Sequence, residues 1–140
     1  MTALAQERIP DFFGLFPARR TVPMKANVKI FKGAMVAIDA SGNAQPAGLL
    51  AGGSVRVIGI AAATFDNSTG IAGALKAEVQ VGVFKCLNNG GELVVAASVG
   101  APCYVLDDQT VSLTAAGATR PIAGLVQAVE SDGGVRVYFA

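Results

Sequence analysis

The chain has 140 residues, which is about one domain with a core of its own, and its eleven basic and ten acidic residues leave a formal net charge of +1. Neither sign of charge forms a long run, which argues against electrostatic binding to nucleic acid or to an anionic membrane. Hydrophobic residues make up 52% of the sequence, aromatic residues only 6%, and 17 glycines are spread along it, a composition that favours short strands and tight turns over helices.

Residues 1–27 differ in composition from the rest of the chain. Half of the six prolines and three of the seven phenylalanines fall here, and prolines at these intervals prevent a long helix and weaken sheet pairing. The sequence therefore predicts an extended N-terminal arm over 1–27, followed by a β-rich domain over 28–140.

The aromatic side chains of this arm either fold back onto the domain's own core or dock on a neighbouring subunit. We favour the neighbour slightly, because aromatic residues and arginine are enriched at interface hot spots. The candidate partner-binding residues are Phe12, Phe13, Leu15, Phe16, Arg19 and Arg20.

From residue 28 onward the pattern is nearly all strand. Residues 76–84 alternate, with Ala77, Val79, Val81 and Val83 on one face, as in a half-buried strand. Turns are predicted at 88–91 (Asn-Asn-Gly-Gly) and at 132–134 (Asp-Gly-Gly). These features predict an all-β fold, a small barrel or sandwich of short antiparallel strands. The predicted strands are 28–31, 35–38, 55–60, 76–84, 93–96, 103–106, 111–113, 122–129 and 135–139.

A loose internal repeat runs through this region. Residues 33–39, 57–60, Asp66 and 79–84 correspond in order to 100–107, 122–125, Asp132 and 135–139. Duplication is one explanation. The other is chance, since short strands joined by Gly and Asp turns resemble one another.

Catalytic chemistry finds little support in the sequence. The chain has no histidine, which removes the commonest general base and metal ligand, and Cys86 and Cys103 lack the spacing of a zinc site. We expect no metal and no cofactor, and we favour buried reduced thiols over a disulfide for the two cysteines. Most acidic residues fall in predicted turns, so a hydrolase that uses Glu92 or Asp108 is a remote alternative, and the chain is predicted not to be an enzyme.

Two further properties concern the cellular setting. Only 15% of the residues are charged, which predicts a surface partly covered by partners. No apolar stretch reaches the 18 residues of a membrane span, and the first residues lack the pattern of a signal peptide. We therefore expect a soluble protein made in the cytoplasm.

A set of strand-and-turn phrases runs from about residue 28 to the end. The phrases are KGAMVAIDASG at 32–42, QPA at 45–47, VIGIA at 57–61, VQVGVF at 79–84, the segment 100–107 with Tyr104, RPIAG at 120–124 and GVRV at 134–137. Together they resemble the capsid decoration, or cement, proteins of tailed bacteriophages.

The resemblance implies a structural virion protein that binds the outer surface of an expanded phage head and cements neighbouring capsomers. It implies the major capsid protein as partner, a homo-oligomer with a trimer favoured over a dimer, and an arm that reaches the shell or a sister subunit.

The alternative is a β-barrel module that binds a small molecule or a carbohydrate, with Tyr104, Tyr138 and Phe65 as stacking platforms. The absence of tryptophan, the best ring for such a platform, weakens this reading.

Overall fold

The predicted all-β class is confirmed by a computed structural model, which describes residues 19–49 and 56–140. In these ranges the chain forms twelve strands and two short 3₁₀ turns, Ala47–Leu49 and Ala96–Ser98, and no helix in them is long and apolar enough to cross a membrane. The strands are β1 (Arg19–Pro23), β2 (Val28–Ile30), β3 (Met35–Ile38), β4 (Ala44–Pro46), β5 (Arg56–Ala61), β6 (Phe65–Asn67), β7 (Lys76–Gln80), β8 (Gly82–Asn88), β9 (Pro102–Val105), β10 (Thr110–Ser112), β11 (Ile122–Val129) and β12 (Val135–Phe139).

The first seven strands form what we call the first unit. Its main sheet has the order β1-β7-β5-β3-β4, and β2 pairs with β6 beside it. Met24, directly after β1, makes a parallel bridge with Ala44 in β4, which brings the two edges of the sheet together. The inward side chains, among them Ile30, Val36 and Val79, are buried in one apolar cluster.

The remaining five strands form the second unit, a closed barrel with the order β10-β8-β12-β11-β9. All of its pairings are antiparallel except that of β8 with β10. Small and branched side chains fill the interior together with the buried ring of Phe139, against which Phe84 packs. The fully buried ones include Val111, Val126, Val135 and Val137.

The two units share the same strand plan. In the first, Val36 pairs with Gly59 and Ile60 pairs with Gln80. In the second, Cys103 pairs with Gly124 and Leu125 pairs with Tyr138. A register shift interrupts both the β3–β5 and the β9–β11 pairing next to the glycine. The internal repeat is therefore present in the fold.

The structural correspondence differs from the predicted one at two places. The segments 57–60 and 122–125 occupy equivalent positions, as predicted. The sequence matches the segment 135–139 with 79–84, but the counterpart of β12 is β7 and does not extend into β8, so Val79 is equivalent to Val137. Asp66 lies within β6 whereas Asp132 lies in a turn, so these two residues do not correspond.

The predicted single strand at 76–84 is wrong. Strand β7 ends at Gln80, and β8 begins at Gly82. Gly82 has a φ of 133°, a backbone conformation that glycine adopts readily and other residues rarely adopt. At this residue the chain passes into the second unit. The alternation is thereby broken, and Val83, predicted to be inward, is 51% exposed. The predicted strand at 93–96 is also absent, because residues 93–95 are irregular and a 3₁₀ turn begins at Ala96.

The arm prediction meets the described structure only at its end. Arg19–Pro23 is extended, as expected for this segment, and it pairs with β7 as an edge strand of the first unit. Residues 1–18 lie outside the described part of the chain.

The two units are joined through one face of the first. Met35, Ala37 and Ile60 point away from the first unit's core and belong to the apolar cluster of the second unit. The Met35 N–H also donates a hydrogen bond of 2.7 Å to the carbonyl oxygen of Asp108, in the turn between β9 and β10. The second unit thus covers the outer face of β3 and β5.

Candidate interaction surface

The predicted arm residues are only partly within the described structure. Phe12, Phe13, Leu15 and Phe16 lie outside it. Arg19 and Arg20 are exposed on β1, and the Arg19 guanidinium donates a 2.6 Å hydrogen bond to Glu78 on the neighbouring strand β7. Arg19 therefore supports the sheet edge, and a role of these residues in partner binding remains a prediction.

Glu92, the carboxylate considered for a hydrolase, lies in a dense polar cluster. Its Oε2 accepts hydrogen bonds from Thr114 Oγ1 at 2.6 Å, from Arg120 at 2.7 Å and from Ser112 Oγ at 2.9 Å. The Arg120 guanidinium also donates to Ser112 Oγ and to the carbonyl oxygen of Thr114. These bonds tie the segment after β8 to β10 and to the loop before β11.

This cluster has the properties of a structural tie. The hydrogen bond from Thr114, followed by those from Arg120 and Ser112, lowers the pKa of Glu92 to about 2. Such a carboxylate stays ionised near neutral pH and is a weak base, whereas a general acid or base works best with a pKa near the working pH. The other carboxylate considered, Asp108, lies in the β9–β10 turn, as predicted, where the Asp107 carboxylate accepts the Gln109 N–H.

The two cysteines are buried free thiols in the second unit. Burial raises the pKa of Cys86 to about 12 and that of Cys103 to about 11. The Cys103 thiol donates to the carbonyl oxygen of Gly124 at 3.6 Å. Both thiols therefore act as small core side chains. Within 19–49 and 56–140, no group of three or more His, Cys, Asp or Glu residues is placed to hold a metal ion.

A contiguous apolar surface lies on the outside of the second unit, and we call it the outer apolar face. Four of its side chains are substantially exposed, namely Val83 at 51%, Ile122 at 54%, Leu125 at 42% and Tyr138 at 42%. The complete face consists of Val83, Pro102, Tyr104, Ile122, Leu125 and Tyr138.

Strand register brings these residues together. Val83 pairs with Tyr138, Tyr138 with Leu125, and Leu125 with Pro102, which makes one row across β8, β12, β11 and β9. Tyr104 pairs with Ile122 in the next row. Because paired residues of adjacent strands point to the same side of a sheet, the six side chains form one continuous patch.

The backbone beneath this face is compact. Gly124 lies so close to β12 that a Cβ there would come 2.8 Å from Val137 Cγ1 and closer still to the carbonyl oxygen of Tyr138. A cleft of about 330 Å³ runs along the face, lined on one side by Ile122, Leu125 and Tyr138 and on the other by Arg56 and Val57 of the first unit. The face therefore lies on closely packed strands and borders the junction of the two units.

Sequence reasoning identified two residues of this face, Tyr104 and Tyr138, as stacking platforms in the alternative function, but it did not identify the face as a whole. In β12 the alternation of inward and outward residues is readable, and it places Arg136 and Tyr138 outward. In β11 the register shift next to Gly124 interrupts the alternation, so Ile122–Val129 resembles a strand that is buried on both sides.

A scan against protein-family models, a search of curated proteins and a search of solved structures each found no match to this chain. Functional interpretation accordingly depends on the geometry described above and on the sequence resemblance.

Proposed function

We propose that this protein is a non-enzymatic structural component of a phage virion, which binds the outer surface of the expanded capsid and cements neighbouring capsomers. The observation that carries the proposal is the outer apolar face. A contiguous exposed apolar patch on a rigid sheet is the usual mark of a surface that binds protein. The partner proposed is the major capsid protein.

The sequence resemblance supplies the identity of this partner. It rests on phrases that form the strands and turns of both units, among them 32–42 in β3 and its turn and 120–124 at the start of β11. A repeat of two small units that share one plan suits a protein that must contact two similar capsid surfaces at once.

A cement protein of this kind acts by mass action. A ligand that binds the assembled shell but not the free capsid subunit shifts the equilibrium toward the shell. Many copies bind the same symmetric particle, so each contact can be modest while the total stabilisation is large.

The test is binding to heads of the phage that encodes this chain. Purified protein is mixed with expanded heads that lack it, or with unexpanded heads, and bound protein is quantified after sedimentation. We expect saturable binding to expanded heads alone and an increase in the temperature at which these heads release DNA. Equal recovery with and without heads would refute the proposal.

One observation favours the alternative, a module that binds a small molecule or carbohydrate. Tyr138 lies in the 330 Å³ cleft, a volume at the lower limit for ligand pockets. Phe65, by contrast, lies on β6 of the first unit, so the three proposed stacking rings do not surround one site. A saturable rise in melting temperature with a glycan or metabolite, abolished by Tyr138→Ala, would support this alternative.

A further inference from the structure

We propose that the outer apolar face of the second unit binds the first unit of another copy of this chain, in a head-to-tail arrangement. The inference comes from the internal repeat. It gives to a second copy the same face that the proposed function gives to the capsid, so the two proposals compete for this face and the experiments below separate them.

The face has a counterpart in the first unit. The row Val83, Tyr138, Leu125 and Pro102 occupies the same strand positions as the row Arg19, Gln80, Ile60 and Met35. The pair of Tyr104 and Ile122 corresponds in the same way to the pair of Ala37 and Val57.

The two faces differ in what covers them. Met35 and Ala37 are completely buried and Ile60 is 7% exposed, because they pack into the second unit. At the matching positions, Pro102 is exposed, Tyr104 is half-buried and Leu125 is 42% exposed. Part of this surface, at Met35, Ala37 and Ile60, is thus an interface in the first unit, and the matching part is open in the second. Arg19, in the same row, stays exposed.

The contact between the units is directional. The outer face of the first unit meets the second unit near the β9–β10 turn, as the hydrogen bond from Met35 to Asp108 shows. The corresponding turn of the first unit joins β3 to β4. This turn is closed by a 3.0 Å hydrogen bond from the Asp39 N–H to the Asn43 carbonyl oxygen. The β9–β10 turn is closed in the same way, by a 3.0 Å hydrogen bond from the Leu106 N–H to the Thr110 carbonyl oxygen.

If the contact is repeated between molecules, the outer apolar face of one copy packs beside the β3–β4 turn of the next. The cleft at Arg56 and Val57 places one edge of the open face beside the chain's own first unit. Pro102 occupies the position that corresponds to Met35, but proline has no N–H and cannot donate the hydrogen bond that Met35 donates to Asp108. The contact between copies is therefore more apolar than the contact within the chain. Head-to-tail contacts close into rings when the rotation between copies permits it and otherwise continue as filaments.

The first experiment measures solution mass by light scattering across a concentration series. We expect the wild-type chain to have a mass that is a multiple of 14.1 kDa. Leu125→Glu should have the monomer mass, with a dissociation constant for self-association at least about tenfold higher, because it places a charge in an apolar contact. The matched control is Leu93→Glu, since Leu93 is 51% exposed on the second unit but lies outside the face, and it should leave the mass unchanged. Circular dichroism checks that both variants are folded.

A second experiment tests the arrangement. By the correspondence of the units, Pro102 of one copy should lie beside Ser41 of the next, as Met35 lies beside Asp108 within the chain. Mild oxidation of a mixture of Pro102→Cys and Ser41→Cys should give a disulfide between the two variants, and neither variant alone, nor the wild type with its buried thiols, should cross-link.

Two results would overturn the proposal. A wild-type chain that is monomeric at all concentrations would exclude self-association. If Leu125→Glu also abolished binding to heads, the outer apolar face would be the capsid-binding surface, and the proposed function would stand without this inference. Cross-linking of Pro102→Cys with itself would show that the faces meet each other in a two-fold dimer.

Discussion

At the scale of single residues, the polar cluster around Glu92 is the clearest case of a side chain whose charge is fixed by its neighbours. Three donors converge on one carboxylate oxygen, and one of them, Ser112, is completely buried on β10. Hydrogen bonds to the ionised form of a carboxyl group lower its pKa, because they are lost on protonation. The cluster therefore makes Glu92 one contributor to the acid stability of the fold.

The pH dependence follows from the direction of this shift. The pKa of Glu92 is about 2 in the folded chain against an ordinary value of 4.5, so its stabilising contribution is complete above pH 4.5 and is lost as the pH falls toward 2. We predict that Glu92→Gln lowers the melting temperature most at pH 5 to 8, and that the difference from wild type shrinks between pH 4.5 and 2. Thermal unfolding across this range checks it, and a difference that is constant with pH would contradict it.

The two thiols give a second prediction at this scale. Burial raises the pKa of Cys86 to about 12 and that of Cys103 to about 11, and the thiolate is the reactive form. We predict that neither thiol reacts with a disulfide reagent at pH 8 in the folded chain and that both react in guanidinium. The reagent assay counts thiols directly, and rapid labelling of either cysteine without denaturant would show that the core is open there.

At the scale of elements, the two glycines next to the register shifts determine how closely the strands pack. A Cβ at Gly59 would come 2.7 Å from Val79 Cγ1, and one at Gly124 would come 2.8 Å from Val137 Cγ1. Gly59 has a φ of 145° in addition. Each unit therefore requires glycine at the same point of its plan.

We predict that Gly59→Ala and Gly124→Ala each destabilise the chain by at least about 2 kcal/mol, since relief of the overlap must move a strand. The matched control is Gly90→Ala, because a Cβ at Gly90 meets nothing within 4 Å and the residue has no positive φ. Urea unfolding gives the three free energies. Equal stability of Gly124→Ala and Gly90→Ala would refute the close approach of β11 to β12.

The sequence predicted those elements that have both a clear pattern and clear ends. Met35–Ile38 was predicted with its correct bounds because Gly33 and the turn at Asp39 frame it, and Val135–Phe139 because of the turn before it. The break between β7 and β8 was missed, since Gly82 occupies the place of an ordinary residue in an alternating run. Local pattern does not reveal that the chain passes from one sheet into another at that point.

At the scale of the whole molecule, the sequence could not show which outward surfaces are covered. Met35, Ala37 and Ile60 were predictable as strand residues, but their burial against the second unit is a tertiary contact. Leu125 occupies the same position in the strand plan as Ile60. It is exposed because no other unit packs against its face, whereas Ile60 is covered by the second unit. The outer apolar face is therefore a product of the fold, which explains why the sequence pointed only to its two tyrosines and not to the face as a whole.

The shared apolar cluster joins the cores of the two units, so we expect them to unfold as one cooperative structure. Met35 belongs to β3 of the first unit, yet it is completely buried among side chains of the second. Both tyrosines of the chain, Tyr104 and Tyr138, lie in the second unit, and the chain has no tryptophan, so intrinsic fluorescence reports on that unit. We predict that Met35→Ala costs about 2 to 5 kcal/mol and shifts the tyrosine transition and the far-ultraviolet circular dichroism transition together.

The control for this prediction is Val36→Ala, the neighbouring residue on the same strand, which is completely buried inside the first unit. No tyrosine lies in the first unit. If the two units unfold as one, Val36→Ala nevertheless lowers the midpoint of the tyrosine transition, because unfolding of the first unit removes the contact of Met35 with the second. Coincident transitions in the wild type and both variants are expected. A tyrosine transition that keeps its wild-type midpoint in Val36→Ala would show that the second unit is stable without the first, and would contradict the prediction.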